Sequence, residues 1–219
     1  MKADVIIPAY NEANRIATTL TALSGQPWVN ELIVVDDGSC DDTFSIARQK
    51  SNKTMRHERN FGKQAAVYTG LKQAEADWIV MLDADLGKTA SEGEKLLVPL
   101  ASEEIDITIA VLPQNAKGGF GFVKRRAQRI VLQHTGVHLT APLSGQRAFH
   151  RSWIPVILAN EGVGYGLEMY LNLLFLSRGA IVKEVNTNMC HRVTGKSIKG
   201  FSHRAKQWLE MEKTVWNYS

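Results

Sequence analysis

The chain is poor in the residues that staple small secreted folds. Cys40 and Cys190 are its two cysteines in 219 residues, too few for a disulfide framework, and no CxxC or Cys/His spacing suggests structural zinc. A reducing, cytoplasmic compartment is the expectation. Long hydrophobic runs are missing as well. The longest late run, Leu171–Leu176, falls far short of the ~20 residues that span a bilayer. The opening MKADVIIPAYNE holds only a short apolar stretch before Pro8 and does not read as a signal peptide. No GxGxxG follows the first strand, where a dinucleotide-binding oxidoreductase needs it. The Gly-rich loop of a sugar-phosphate nucleotidyltransferase is absent from the same place. The excess of positive charge is only +4, with no basic stripe interleaved with stacking aromatics, so nucleic acid is not the expected partner. No repeat or low-complexity segment is visible.

What is present is an ordinary globular composition, 44% hydrophobic and 22% charged, enough for one substantial core. The expectation is a single domain over 1–219, with a first half (about 1–112) and a second half (about 113–219). In the first half short β-branched runs alternate with helical patterns. Strands are expected at Asp4–Pro8, Glu31–Asp36, Thr54–His57, Trp78–Leu82 and Ile105–Leu112, the buried ones as continuous apolar runs. Helices are expected at Glu12–Leu23, Gly62–Ala74 and Glu92–Leu100. Such strand–helix–strand units make right-handed crossovers and a mostly parallel α/β sheet flanked by helices. Ligands then sit beyond the carboxyl ends of the strands. Tyr10-Asn11-Glu12, Asp36-Asp37-Gly38-Ser39 and Asp83-Ala84-Asp85 each follow a strand directly, so all three should meet along one sheet edge.

Each cluster has a chemical reading and a bland one. Residues two apart on extended chain face the same side, so Asp83 and Asp85 can share a ligand such as a magnesium or manganese ion carrying nucleotide phosphates; the alternative is a solvated turn. Asp36 can accept from a base N–H or a ribose hydroxyl, while Asp41 suits a cap for the helix running through Arg48. Asn11 reads as the cap of the first helix and Glu12 as its first-turn acid. Gly62, with Arg59 and Lys63, makes a helix N-terminus suited to phosphate, or a basic surface turn.

The second half is less regular. A Gly-rich loop is expected at Pro113–Gly121, helices at Phe122–His134 and Gly166–Ser177, strands at Gln146–His150 and Ala180–Val185, and an amphipathic basic tail at Ile198–Trp216. That tail either closes onto the sheet or touches an anionic membrane surface. The segments Gln114–Gly121 and Thr194–Gly200 are expected to order over a bound donor.

The runs PAYNE (8–12), VVDDGSCDDT (34–43), RNFGKQAAVYTG (59–70) and MLDADL (81–86) stand in the order found in family 2 glycosyltransferases, and the first half resembles the nucleotide-sugar part of a GT-A fold. The second half is more loosely similar to the dolichyl- and polyprenyl-phosphate sugar synthases and their soluble relatives, through Ser144-Gly145-Gln146-Arg147-Ala148, Gly164-Tyr165-Gly166-Leu167-Glu168 and His191-Arg192-Val193-Thr194-Gly195-Lys196-Ser197. The resemblance implies a metal-dependent, inverting transfer from a nucleotide-diphosphate sugar, with UDP favoured. Pro8, Ala9, Tyr10, Glu12, Asp36, Gly62, Lys63, Asp83, Ala84 and Asp85 would hold the donor. Asp85 and His191 would bind the metal, magnesium or manganese. Ser144, Gly145, Gln146, Arg147 and Arg192 would face donor or acceptor phosphate. Asp83, Asp85 and Glu168 would be catalytic, Glu168 as general base through a pKa raised by burial. The acceptor implied is a cell-envelope or small-molecule precursor. The alternatives are a polyprenyl phosphate met at the inner membrane surface by a peripheral enzyme, or a non-catalytic nucleotide-binding protein. Departures from the synthase pattern, Leu86-Gly87-Lys88-Thr89 after the DAD and Gln146 in place of an aromatic, fall where acceptor choice is set.

Overall fold

The computed structural model describes residues 1–102, 104–113, 121–159 and 166–191. The expected loop 114–120, the segment 160–165, Arg192 and the whole tail beyond it lie outside the described residues. The strands are β1 (Ala3–Ala9), β2 (Val29–Asp36), β3 (Lys53–Arg56), β4 (Trp78–Met81), β5 (Ile107–Val111), β6 (Arg147–His150) and β7 (Val182–Asn186). The α-helices are α1 (Ala13–Leu23), α2 (Thr43–Lys50), α3 (Lys63–Leu71), α4 (Glu94–Ser102), α5 (Gly121–Thr135), α6 (Ile154–Leu158) and α7 (Leu167–Ser177).

Among the described residues seven strands join one sheet in the order β3-β2-β1-β4-β6-β5-β7. The pairs β1–β2, β1–β4, β2–β3 and β5–β7 are parallel, and β6 alone runs against its neighbours β4 and β5. The sheet is therefore mostly parallel, as expected, and it draws β6 and β7, on either side of β5, from the second half of the chain.

The two faces follow from the period-two alternation of side chains along a strand. Val5, Ile7, Val34 and Val80 point to one side, where Ile16 and Leu20 of α1, Ala47 of α2 and Leu96 of α4 cover them. Ile6, Ile33, Ile79, Met81 and Phe149 point to the other, against Val67 and Leu71 of α3, Ile130 of α5 and Leu171 and Phe175 of α7. These strands are apolar on both faces because both faces are buried.

Three local expectations are corrected. Asn11 does not cap α1: it adopts φ 55°, a left-handed turn that Asn tolerates, and its Oδ1 accepts from Cys40 N at 2.9 Å. The first amides of α1 are instead taken from across the edge, Glu12 N by Thr43 Oγ1 at 2.8 Å and Ala13 N by Asp41 Oδ2 at 3.2 Å. The helix expected to reach Ala74 stops at Leu71, because the chain must then turn to present the amides of Glu75 and Ala76 to the buried Asp4 carboxylate. The helix expected at Glu92–Leu100 is divided into a 3₁₀ segment, Gly87–Gly93, and α4. The 3₁₀ turn Arg151–Trp153 and the short α6 were not expected from periodicity, being shorter than the window that reveals it.

α3 approaches β1 closely enough that a methyl group built at Gly70 would stand 2.6 Å from Ile6 Cγ2. Ile6 is fully buried and its branched side chain has nowhere to swing. Gly70→Ala is therefore expected to destabilise, the overpacking cost of ~1–3 kcal/mol exceeding the gain of about 1 kcal/mol in helix propensity. A thermal melt showing an unchanged or higher midpoint would contradict this packing.

Candidate active site

The carboxyl ends of β1, β2 and β4 lie side by side, with Ala9 paired to Asp36 and Ile6 to Met81. Because β6 is antiparallel to β4, with Met81 opposite Arg147, its beginning arrives at the same edge and brings Ser144, Gly145 and Gln146 beside the DAD turn. The three clusters expected to converge do so, and a fourth joins them.

At the centre Lys63 Nζ lies 2.7 Å from Asp83 Oδ1 and 2.8 Å from Glu168 Oε1. Gln146 Nε2 donates to the other Asp83 oxygen at 2.5 Å. Gly145 is required here, since a Cβ at this position would meet Lys63 Nζ at 2.6 Å and Asp83 Oδ2 at 3.1 Å. Burial alone would lower the Lys63 pKa, but the fields of Asp83 and Glu168 prevail and hold it above the ordinary lysine value. Burial would raise Asp83, yet Lys63 and then His191 bring it below the usual carboxylate range. Glu168 corrects the expectation made for it. Burial does push it upward, but Lys63, aided by Arg147 and against the repulsion of Asp83, leaves it lowered. Glu168 is thus an ionised carboxylate at neutral pH.

Lys63 is placed by its helix start. Asp37, 2% exposed, accepts from Phe61 N at 2.9 Å and Gly62 N at 2.7 Å, and contacts His57 Nδ1 at 2.7 Å. The amide of Gly62, at the helix start read as suited to phosphate, is thereby taken by a carboxylate of the chain itself. Gly38 (φ +71°) lets this turn approach the backbone of Arg59, 2.4 Å from where a Cβ would stand.

Asp83, Asp85 and His191 form a cluster whose donor atoms all lie within 4.8 Å of one another. His191 Nδ1 is 2.9 Å from Asp85 Oδ1, and Nε2 is 3.7 Å from Asp83 Oδ2. Burial depresses the imidazole pKa, but the bond to Asp85 and the two carboxylate charges raise it overall. His191 is delivered from beyond β7 by two contacts on the 3₁₀ segment: Glu92 Oε2 accepts from Asn188 N at 2.8 Å, and Thr89 Oγ1 from Cys190 N at 3.1 Å. Two carboxylates and one imidazole, each only partly exposed, suit manganese and, less closely, the oxygen-preferring magnesium.

The remaining residues divide. Tyr10 is 45% exposed at the tip of β1, beside Pro8, Ala9 and Glu12, and Ala84 is buried within the DAD turn. Asp36 is fully buried: one oxygen accepts from Ser39 N and Oγ, and the other lies 3.2 Å from Arg56 Nε. Arg147, expected against a phosphate, is also fully buried. Its Nη2 donates to Ser144 O at 2.7 Å and its Nη1 reaches Asn172 Oδ1 at 3.4 Å. Burial draws its pKa down to about 10, against the opposing pull of Glu168 and Asp83, so it remains a cation beneath the loop. Asn172 also holds Pro142 O, and Glu184 holds the amides of Thr140 and Ala141. Sequence reasoning passed over Arg56, Asn172 and Glu184. A buried Asn inside the apolar run of α7 was the one legible signal.

Comparison with known proteins accords with this geometry. The model of the family described as "Glycosyl transferase family 2" matches residues 4–157. The chain belongs to that family. It is 33% identical over 191 residues to an uncharacterized protein of Methanocaldococcus jannaschii, covering 83% of this chain and 78% of that one. It is 28% identical over 170 residues to the undecaprenyl-phosphate 4-deoxy-4-formamido-L-arabinose transferase of Yersinia enterocolitica, covering 72% and 51%. With the Pectobacterium atrosepticum enzyme of the same name the figures are 36% over 115 residues, 47% and 34%. The chain thus spans about half of the first of those transferases and about a third of the second. In fold it matches glucosyl-3-phosphoglycerate synthase from Mycobacterium tuberculosis, solved with Mg2+ and uridine diphosphate, at a TM-score of 0.79 and 22% identity over 99% of this chain and 78% of that one. This family 2 glycosyltransferase therefore has the GT-A architecture that its sequence resembles. Among the described residues no helix is long and apolar enough to cross a membrane.

The space at Gly145 yields a test. Gly145→Ala must displace Lys63 Nζ, the movable end of a long side chain, so the melting temperature is expected to stay within about 2 °C. Transfer should fall by roughly 100-fold, the order expected when a catalytic group shifts by about an ångström. Wild-type kcat/KM in this variant would remove Lys63 from the working site.

Proposed function

We propose that the protein transfers a sugar from a UDP-sugar, with inversion and with a divalent metal, to an acceptor bound over the Ser144–Arg147 loop. The observation that carries this reading is the cluster of Asp83, Asp85 and His191 at the sheet edge, with Lys63 set between it and Glu168. Both oxygens of Asp83 already have partners in Lys63 and Gln146, so Asp85 and His191 would be the principal metal ligands. The metal would supply positive charge to the departing diphosphate. Tyr10, Pro8, Ala9, Glu12 and Asp36, at the carboxyl ends of β1 and β2, would take base and ribose, and Lys63 would add charge beside the phosphates. The division of the chain into a donor half and an acceptor half follows the same line.

Glu168 lies on the far side of Lys63 from the DAD turn. Its ionised carboxylate can receive the proton of a hydroxyl acceptor; toward a phosphate acceptor, already an anion, it would orient Lys63. A phosphate-bearing acceptor is supported by the relatives. The curated transferases are named for undecaprenyl phosphate, and the mycobacterial synthase was also solved with phosphoglyceric acid. Undecaprenyl-type phosphate is the second reading, favoured by its higher sequence identity. The small soluble acceptor is favoured by the fuller structural coverage. Arg192, outside the described residues, would serve the acceptor in either case.

A melting series with UDP, GDP, CDP and dTDP, each with and without Mn2+, tests the donor assignment. UDP with Mn2+ is expected to stabilise most, by about 2.7 kcal/mol at a hundredfold excess over Kd. Asp85→Asn should abolish the metal-dependent part and reduce sugar transfer by at least ~100-fold while leaving the unliganded melt in place. A larger shift with GDP would overturn the choice of base, and full activity in Asp85→Asn would overturn the metal site.

A further inference from the structure

α1 is amphipathic, and its inward face should be wholly apolar. Ile16, Leu20 and Leu23 obey, but Thr19 on the same face is also fully buried. A helical threonine usually bonds back to the carbonyl four residues earlier; here that contact is long, 3.4 Å to Arg15 O. The hydroxyl instead donates to Ala84 O at 2.7 Å and accepts from Gly87 N at 2.8 Å. Those two groups bracket Asp85 within the DAD turn, and Gly87, at φ +56°, closes it. One turn earlier on the helix Arg15 Nη1 donates to Asp85 O at 3.0 Å. Three successive peptide units of the turn that carries the carboxylates are thus tied to α1.

We propose that Thr19 is a positioning residue for the metal site, with Arg15 as its partner: together they set the backbone of Ala84–Gly87 so that Asp83 and Asp85 face one ion. The proposal rests on the metal reading above. It explains a polar residue at a core position of α1, and it makes the geometry of the DAD turn depend on a helix that carries none of the proposed ligands. Groups behind metal ligands characteristically change affinity by 10–100-fold, and Thr19 acts on two backbone bonds at once.

The test is Mn2+ binding to the whole chain, followed by loss of the free-ion spectroscopic signal, with Mn2+ alone as probe. Thr19→Val keeps the shape and removes both bonds, and it should weaken Mn2+ binding by at least tenfold; Thr19→Ser should stay within about twofold of the unaltered chain. Thr108→Val is the control, because Thr108 is equally buried and donates one bond, to Leu96 O at 2.7 Å, away from the site. It should melt lower and bind Mn2+ normally. Arg15→Lys, which keeps the charge but loses the planar donor fork, should weaken binding about threefold, and it serves as the decisive variant if Thr19→Val does not fold. Unchanged affinity in the variant that decides, equal weakening in Thr108→Val, or no rescue by Ser would overturn the proposal. Failure of the unaltered chain to bind Mn2+ would instead overturn the metal reading, and the positioning role with it.

Discussion

The site depends on a single ammonium group held between two carboxylates that lie far apart in the chain. Lys63 meets Asp83 and Glu168 at salt-bridge distance, joining a residue of the β4 edge to one that opens α7. Removing either acid would leave the other half of the arrangement without its fixed charge, and removing the lysine would set two anions against each other in a partly buried space. Such an assembly is costly to desolvate and is retained where charge placement matters more than stability. The absence of a side chain at Gly145, the carboxylate of Asp37 under the start of α3, and the buried Arg147 below the loop all serve to keep that ammonium in place.

Much of the fold was legible because parallel strands covered on both faces read as unbroken apolar runs, and each run ended in a polar cluster. Strand positions followed within two or three residues. The elements misread were those governed by a distant partner. Asn11 looks like a cap until Thr43 and Asp41 are seen to take the amides of α1 from the next strand end. α3 looks longer until the needs of the buried Asp4 appear. Neither partner is close in sequence, so no local rule reaches it.

The same distinction separates the site residues. The DAD acids were legible from spacing and Lys63 from its place at a helix start, whereas His191 followed from the family resemblance alone; the structure brings all four together. The pKa of Glu168 was misjudged because burial was weighed without Lys63, whose proximity only the folded chain provides. Arg147 was read as facing phosphate because the resemblance implied it; in place it is fully buried and donates to Ser144 O, supporting the loop from within. Asn172 and Glu184 act through backbone groups, and Arg56 through the buried Asp36 and Ser39 O, leaving no mark in a sequence beyond an occasional polar residue in an apolar run.

The one reversed strand, β6, has a consequence for how such a protein can diversify. Chain entering β6 passes over the active edge before it joins the sheet, whereas chain leaving β1, β2 and β4 passes over it afterwards. The stretch from Gly136 to Gly145 is therefore a bridge anchored at both ends, by α5 on one side and by a strand paired on both edges on the other. Up to Ser144, short of the fixed Gly145, its length and composition can vary without altering the register of any parallel strand. One side of the edge can thus be rebuilt over generations while the turns that follow β1, β2 and β4 are inherited unchanged.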